Sequence, residues 1–209
     1  WTGVAYNAFK DEGNDAGGKK FFGEINLWLQ NGASWTNEAW GEPPDAYFGE
    51  DFSESHLKRL VGGESADKAG HIFQKPGEDE DSEGINIRVD DYKGFTNVYY
   101  GHKDEKPTDI LGGTFTVTKA QPGSGITLIT DSKGLNVDSS KAADKNLVSE
   151  TLNALANKLF YTAYKNGETN LAGKVEIAEG LTSSSLSKRM EDVTFKESNG
   201  QGQYLYTPA

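Results

Sequence analysis

The sequence predicts a mainly β chain: a parallel β-helix (β-solenoid) segment with one amphipathic helix near residues 141–160 packed on it or capping it. Three observations carry that expectation. Between Gly84 and Asp131, four short stretches (Gly84–Asp90, Thr96–Tyr100, Thr114–Thr118 and Gly125–Thr130) alternate apolar and polar residues and are rich in Val, Ile, Thr, Phe and Tyr. That is the pattern of strands with one buried face. Glycine punctuates them, and Ile87 to Val98 and Val117 to Leu128 are each eleven residues apart. Only 35% of residues are hydrophobic while glycine numbers 25, a balance that favours strands and turns over a helical bundle. A sandwich of meandering strands is the alternative that the same pattern allows.

Taken in order, Trp1–Tyr6 reads as a short strand and residues 11–18 as a polar, glycine-rich loop. Phe21–Leu29 resumes the alternation, with Ile25, Leu27 and Leu29 on one face. Asn31-Gly32 is a tight-turn signal, because both residues tolerate positive φ, and Ala33–Thr36 continues as strand. Glu42–Ser53, with Pro43-Pro44, is irregular. His56–Val61 is a strand with Gly62-Gly63 as its corner, and Ala69–Gln74 is the next. The acidic run Glu78-Asp79-Glu80-Asp81 reads as a solvated loop.

From Lys141 to Phe160 the alternation vanishes, and Leu147, Val148, Leu152, Leu155 and Leu159 recur at helical spacing with no Gly or Pro between them. Ser139 or Ser140 can cap the start. Tyr161–Tyr164 and Lys174–Ala178, around Asn166-Gly167, read as a hairpin or as consecutive strands; Val193–Lys196 and Gln203–Tyr206 supply the last two. The expected layout is solenoid coils over 1–139, the helix over 140–160, and further strands of the same unit over 161–209. The expected core is Ile25, Leu27, Leu29, Ile85, Ile87, Val89, Phe115, Val117, Ile126 and Leu128.

A formal charge of -11 argues against nucleic acid and anionic membrane surfaces, which both require a positive footprint. The absence of cysteine removes thiol catalysis, Cys-ligated zinc and disulfides together. No apolar run approaches the length of a membrane span. No basic-then-apolar leader opens the chain, which is read as a mature protein or an excised segment, not embedded in a membrane.

The search for chemistry singles out no catalytic, cofactor-binding or metal-ligating residue. His56, His71 and His102 are far apart, without paired-ligand spacing. Gly123-Ser124-Gly125 lacks the spacing of a nucleophile elbow and precedes a strand, so it reads as a corner turn. No phosphate-binding glycine loop occurs. Among 32 acidic residues nothing marks a glycosidase pair. Asp11–Asp15 and the acidic run at Glu78 are the only calcium-loop candidates, and neither follows a known ligand order. Trp35, Trp40, Tyr99 and Tyr100 could line a sugar-binding surface, but core or ladder roles fit them better.

Trp1-Thr2-Gly3-Val4-Ala5-Tyr6-Asn7, followed by Leu29-Gln30-Asn31-Gly32-Ala33-Ser34-Trp35, resembles the W-x-G and L-x-N-G-A-x-W pattern of bacterial autotransporter passengers, the pertactin-like and adhesin-type β-helices. Val61-Gly62-Gly63, Asp91-Tyr92-Lys93-Gly94, Gly112-Gly113, Gly125–Asp131 and the helix Thr151–Leu159 leading into Gly173–Leu181 look like large surface autotransporters of diderm Firmicutes. The resemblance implies a non-enzymatic passenger segment, an adhesin or stalk that is secreted through the outer membrane and projects from it. It implies partners among host or bacterial surface proteins and glycans, with neighbouring copies as a further possibility. It carries no catalytic residue, since the matched positions are structural. A self-assembling extracellular filament or matrix subunit, and a polysaccharide-active β-helix enzyme, are the competing expectations.

Overall fold

The alternation read from the sequence becomes two ladders of parallel strands in a computed structural model. It describes residues 1, 2, 5, 24–38, 54–77, 84–104, 106–135, 142–178, 189–198 and 201–205. Successive strands β1 (Asn26–Trp28), β2 (Ser34–Asn37), β3 (Glu54–Val61), β4 (Gly70–Gln74), β5 (Asn86–Lys93) and β6 (Phe95–Lys103) fall alternately to a first and a second ladder. After β7 (Lys106–Leu111), a short strand antiparallel to β6, the alternation continues through β8 (Phe115–Ala120) and β9 (Ser124–Thr130). A helix, α1 (Ala142–Ala156), then precedes β10 (Leu159–Tyr161) and β11 (Leu171–Ile177), which add one strand to each ladder.

The pairing is in register from strand to strand. Val89 sits beside Leu57 and Val117 in the first ladder, and Val98 beside Ile72 and Leu128 in the second. All six are completely buried, so the eleven-residue step from Ile87 to Val98 carries the chain from one ladder to the other. The alternation slips by one residue at one level of the first ladder. Lys58 and Arg59, Asp90 and Asp91, and Thr118 and Lys119 all point away from the core in succession, with Arg59, Asp91 and Lys119 in register. Leu60, Tyr92 and Ala120, the next residues, are buried again.

From there the return is short: Gly94 alone joins β5 to β6, and residues 121–123 join β8 to β9. Gly94 (φ 85) and Gly123 (φ 83) adopt left-handed conformations that favour glycine. Connections in the other direction are long and unlike one another. Between β9 and β10 one holds α1, which packs Val148, Leu152, Leu155 and Ala156 into the core against β7, β9, β11 and β13 (Gln201–Leu205). β12 (Arg189–Ser198) and β13 form an antiparallel hairpin that bonds to β11 on one side and β10 on the other. This antiparallel closure joins the two ladders into one continuous path, which a plain parallel coil does not do.

Several sequence expectations are refined. Leu29, Ile87, Val89, Phe115, Val117, Ile126 and Leu128 are buried as expected, while Ile25, Leu27 and Ile85 are half-buried. The helix ends at Ala156, earlier than expected; Leu159 belongs to β10, where pairing beside Phe115 outweighs its helical spacing. Strand also stops at Tyr161, and Thr162–Asn166 is a 3-10 turn closed by Gly167. β10 and β11 are therefore consecutive strands in different ladders and not a hairpin.

Candidate functional site

Three surfaces of this framework carry exposed chemistry. On the outer face of the first ladder, neighbouring strands bring unlike charges together. Arg88 Nε lies 3.0 Å from Glu54, His56 Nε2 lies 2.9 Å from Asp90, and Lys58 lies 3.8 Å from the same carboxylate. Arg88 also reaches the other His56 ring nitrogen at 3.2 Å. Because these side chains are a third to half exposed, such pairs contribute about 0–1 kcal/mol each. Their effect is a solvated, self-neutralised strand face.

The outer face of the second ladder carries an aromatic row. Phe73 and Tyr99, side by side on β4 and β6, stack with centroids 4.7 Å apart, and His71 Nδ1 lies 2.9 Å from the Tyr99 hydroxyl. Phe73 is 38% exposed. Adjacent Tyr100 points the opposite way, buried, its hydroxyl donating to the Gly113 carbonyl at 2.9 Å. Gln74 and Asn37 lie one and two strands away in the same row; the Asn37 amide donates to Gln74 Oε1 at 2.7 Å and to the Ile85 carbonyl at 2.8 Å. The side chains of Asn37, Gln74 and Tyr100 are all hydrogen-bonded, which makes this part of the row structural.

The third surface is a groove of about 330 Å³ running over the tight corners. Gly62, Gly63, Gly94 and Gly123 form its floor. A Cβ at Gly94 would lie 2.6 Å from the Gly63 carbonyl oxygen, so this corner stacks on its neighbour only because a side chain is missing there. Exposed Gln30, Glu64, Lys93 and Gln121 stand on the rim, and half-buried Phe95 forms part of the wall. The Ser124 hydroxyl, buried at the groove's end, accepts the Gly94 amide at 3.3 Å. That hydrogen bond ties the serine to the corner.

The remaining histidine, His102, ends β6 with its Nε2 2.7 Å from Asp131 and its Nδ1 3.0 Å from the Lys103 carbonyl. Nearby, the Lys133 ammonium, 2.6 Å from Asp104, holds that carboxyl below its ordinary range, and the carboxylate in turn raises Lys133. The three histidines thus have separate partners on separate surfaces. Among the described residues no group of three or more His, Asp or Glu could hold a metal ion. Trp35 is buried beneath Trp1, ring centroids 5.5 Å apart, whereas Trp40 and both calcium-loop candidates lie outside the described residues. The groove was missed at the sequence level because Gln30, Lys93 and Gln121 converge only through ladder register; the glycine corners were its one visible trace. No family profile, curated protein or solved structure matches this chain.

Proposed function

We propose that this chain is a β-solenoid segment of a bacterial cell-surface passenger, a non-enzymatic adhesin or stalk that projects from the outer membrane. The observation that carries the reading is the regular passage of the chain between two parallel, in-register ladders through stacked glycine corners. Stacked rungs that bury their apolar faces against one another make a stiff rod, the property a stalk requires. The helix and the β6–β7 hairpin are insertions into the long connections, where a rod tolerates added elements. The antiparallel closure by β12 and β13 caps one end and disfavours the filament alternative, which needs two open ends.

Partners are surface glycans or proteins of the host or of neighbouring bacteria. The net charge of -11 disfavours nucleic acid. No helix among the described residues is long and apolar enough to cross a membrane. An antibody raised against the segment tests the localisation: on intact cells of the source bacterium it labels the surface, and external protease removes the label. Labelling only after permeabilisation contradicts the proposal.

A further inference from the structure

We infer that the groove over the stacked corners binds a linear, neutral oligosaccharide, with successive sugars lying over successive rungs. The inference deepens the adhesin reading and rests on it.

The first argument is length. The groove passes over four corners, from Gln30 through Gly62-Gly63 and Gly94 to Gln121. Parallel strands repeat at about 4.8 Å, so the four corners span roughly 14 Å. A linear chain of pyranoses repeats on nearly the same length, and each ring can meet an equivalent corner. An extended peptide advances about 3.3 Å per residue and falls out of step with the corners.

The second argument is chemistry. Gln30 and Gln121 are exposed amides at opposite ends of the groove. A carboxamide offers two donors and an acceptor, the combination that reads neighbouring sugar hydroxyls. Between them, Phe95 leans on the Gly125 backbone, where an added Cβ would lie 2.9 Å from the ring. A half-buried aromatic wall suits the C–H face of a pyranose.

The third argument is charge. Lys93 and Glu64 on the rim are of opposite sign, and Glu64 is already engaged by Lys68. With a chain charge of -11, a polyanionic glycan gains one lysine and meets net repulsion. The site is also ready-made, because the closely stacked corners form its floor without any rearrangement, and such preorganisation favours a weakly binding ligand.

The test is calorimetric titration of the chain with linear tetrasaccharides of β-linked glucose and of β-linked N-acetylglucosamine. The corresponding monosaccharides and a tetragalacturonate serve as comparisons. We expect saturable binding of at least one neutral tetrasaccharide, weaker by about tenfold or more for its monosaccharide and for the uronate. Gln121→Trp, which fills the groove from an exposed position, should abolish binding with the urea midpoint unchanged. Phe73→Ala, on the outer face of the second ladder, should leave binding intact. No binding of either neutral tetrasaccharide at millimolar concentration overturns the inference. So does binding that survives Gln121→Trp, or a preference for the uronate. Failure here removes the groove as a site without touching surface localisation, which the antibody experiment decides separately.

Discussion

Replacing Val117 by aspartate, compared with the same change one residue earlier at Thr116, tests which face of β8 is buried. Val117 is fully buried between Val89 and Tyr161 in the first ladder. Losing its burial costs about 1.5–3 kcal/mol. Forcing a carboxyl group into the same apolar row without a partner adds about 2–4 kcal/mol. The sum, about 3.5–7 kcal/mol, is comparable with the whole stability of a typical domain, roughly 5–15 kcal/mol. Thr116 is half-exposed on the outer face, with Arg88 and Phe160 as its neighbours, so aspartate there should cost less than about 0.5 kcal/mol.

Urea unfolding followed by the fluorescence of the four tryptophans reads both variants. The Val117→Asp loss should also depend on pH. Burial raises the folded-state pKa of the new carboxyl, so the protein is least destabilised below the unfolded value of about 3.9 and loses stability as pH rises above it. Equal midpoints for the two variants would refute the assignment of faces, because a one-residue slip exchanges every side chain across a strand.

Asn37→Ala removes two donated hydrogen bonds and the acceptor of the Ser55 hydroxyl, all in the buried row. Denaturant unfolding should show a loss of about 2–4 kcal/mol, and a loss under about 1 kcal/mol would mean that the row is not closed to water. Thr130→Val tests the reverse case. The Thr130 hydroxyl is buried without a hydrogen-bond partner, so the nearly isosteric valine should be neutral or stabilising by about 1 kcal/mol; a clear destabilisation would show that the hydroxyl is satisfied.

At high pH, burial holds Tyr92 and Tyr100 far above their ordinary value of 10.0, and burial with Glu168 nearby raises Tyr161. The unfolded chain releases these protons near 10.0 while the folded chain keeps them, so stability is complete below that pH and falls as pH rises beyond it. Tyrosinate absorbance should therefore show a fraction of the nine tyrosines that ionises only as strand circular dichroism is lost. Free ionisation of all nine in a folded chain contradicts their burial.

The central strands were legible because each buries one face, which writes a period of two into Ile87, Val89, Phe115, Val117, Ile126 and Leu128. What the sequence hid follows from other physics. β7 pairs with β6 alone and contains Pro107 and Asp109, so it carries no alternation. Leu159 satisfies a helical spacing and a strand register at once, and only the place beside Phe115 decides between them. A fixed repeat length was invisible because the connections vary from Gly94 alone to a stretch that contains α1. The groove was hidden for the related reason that its rim residues lie at corners between different pairs of strands. Tyr100 and Trp35, by contrast, are buried, in line with the core roles that the sequence favours over a sugar-binding surface.

Parallel stacking of rungs is the claim on which the rest depends, and distances between spin labels test it most directly. The absence of native cysteine allows labels at chosen pairs only. Ser34, His71, Asn97, Thr127 and Lys174 form one outward row of the second ladder. Taken from Ser34, backbone separations should rise by about 4.8 Å per rung, to roughly 14 Å at Thr127 and 19 Å at Lys174. Measured distances that rise in that order support the stacked ladders. A Ser34–Lys174 distance shorter than the Ser34–Thr127 distance would contradict them, and the solenoid reading with them.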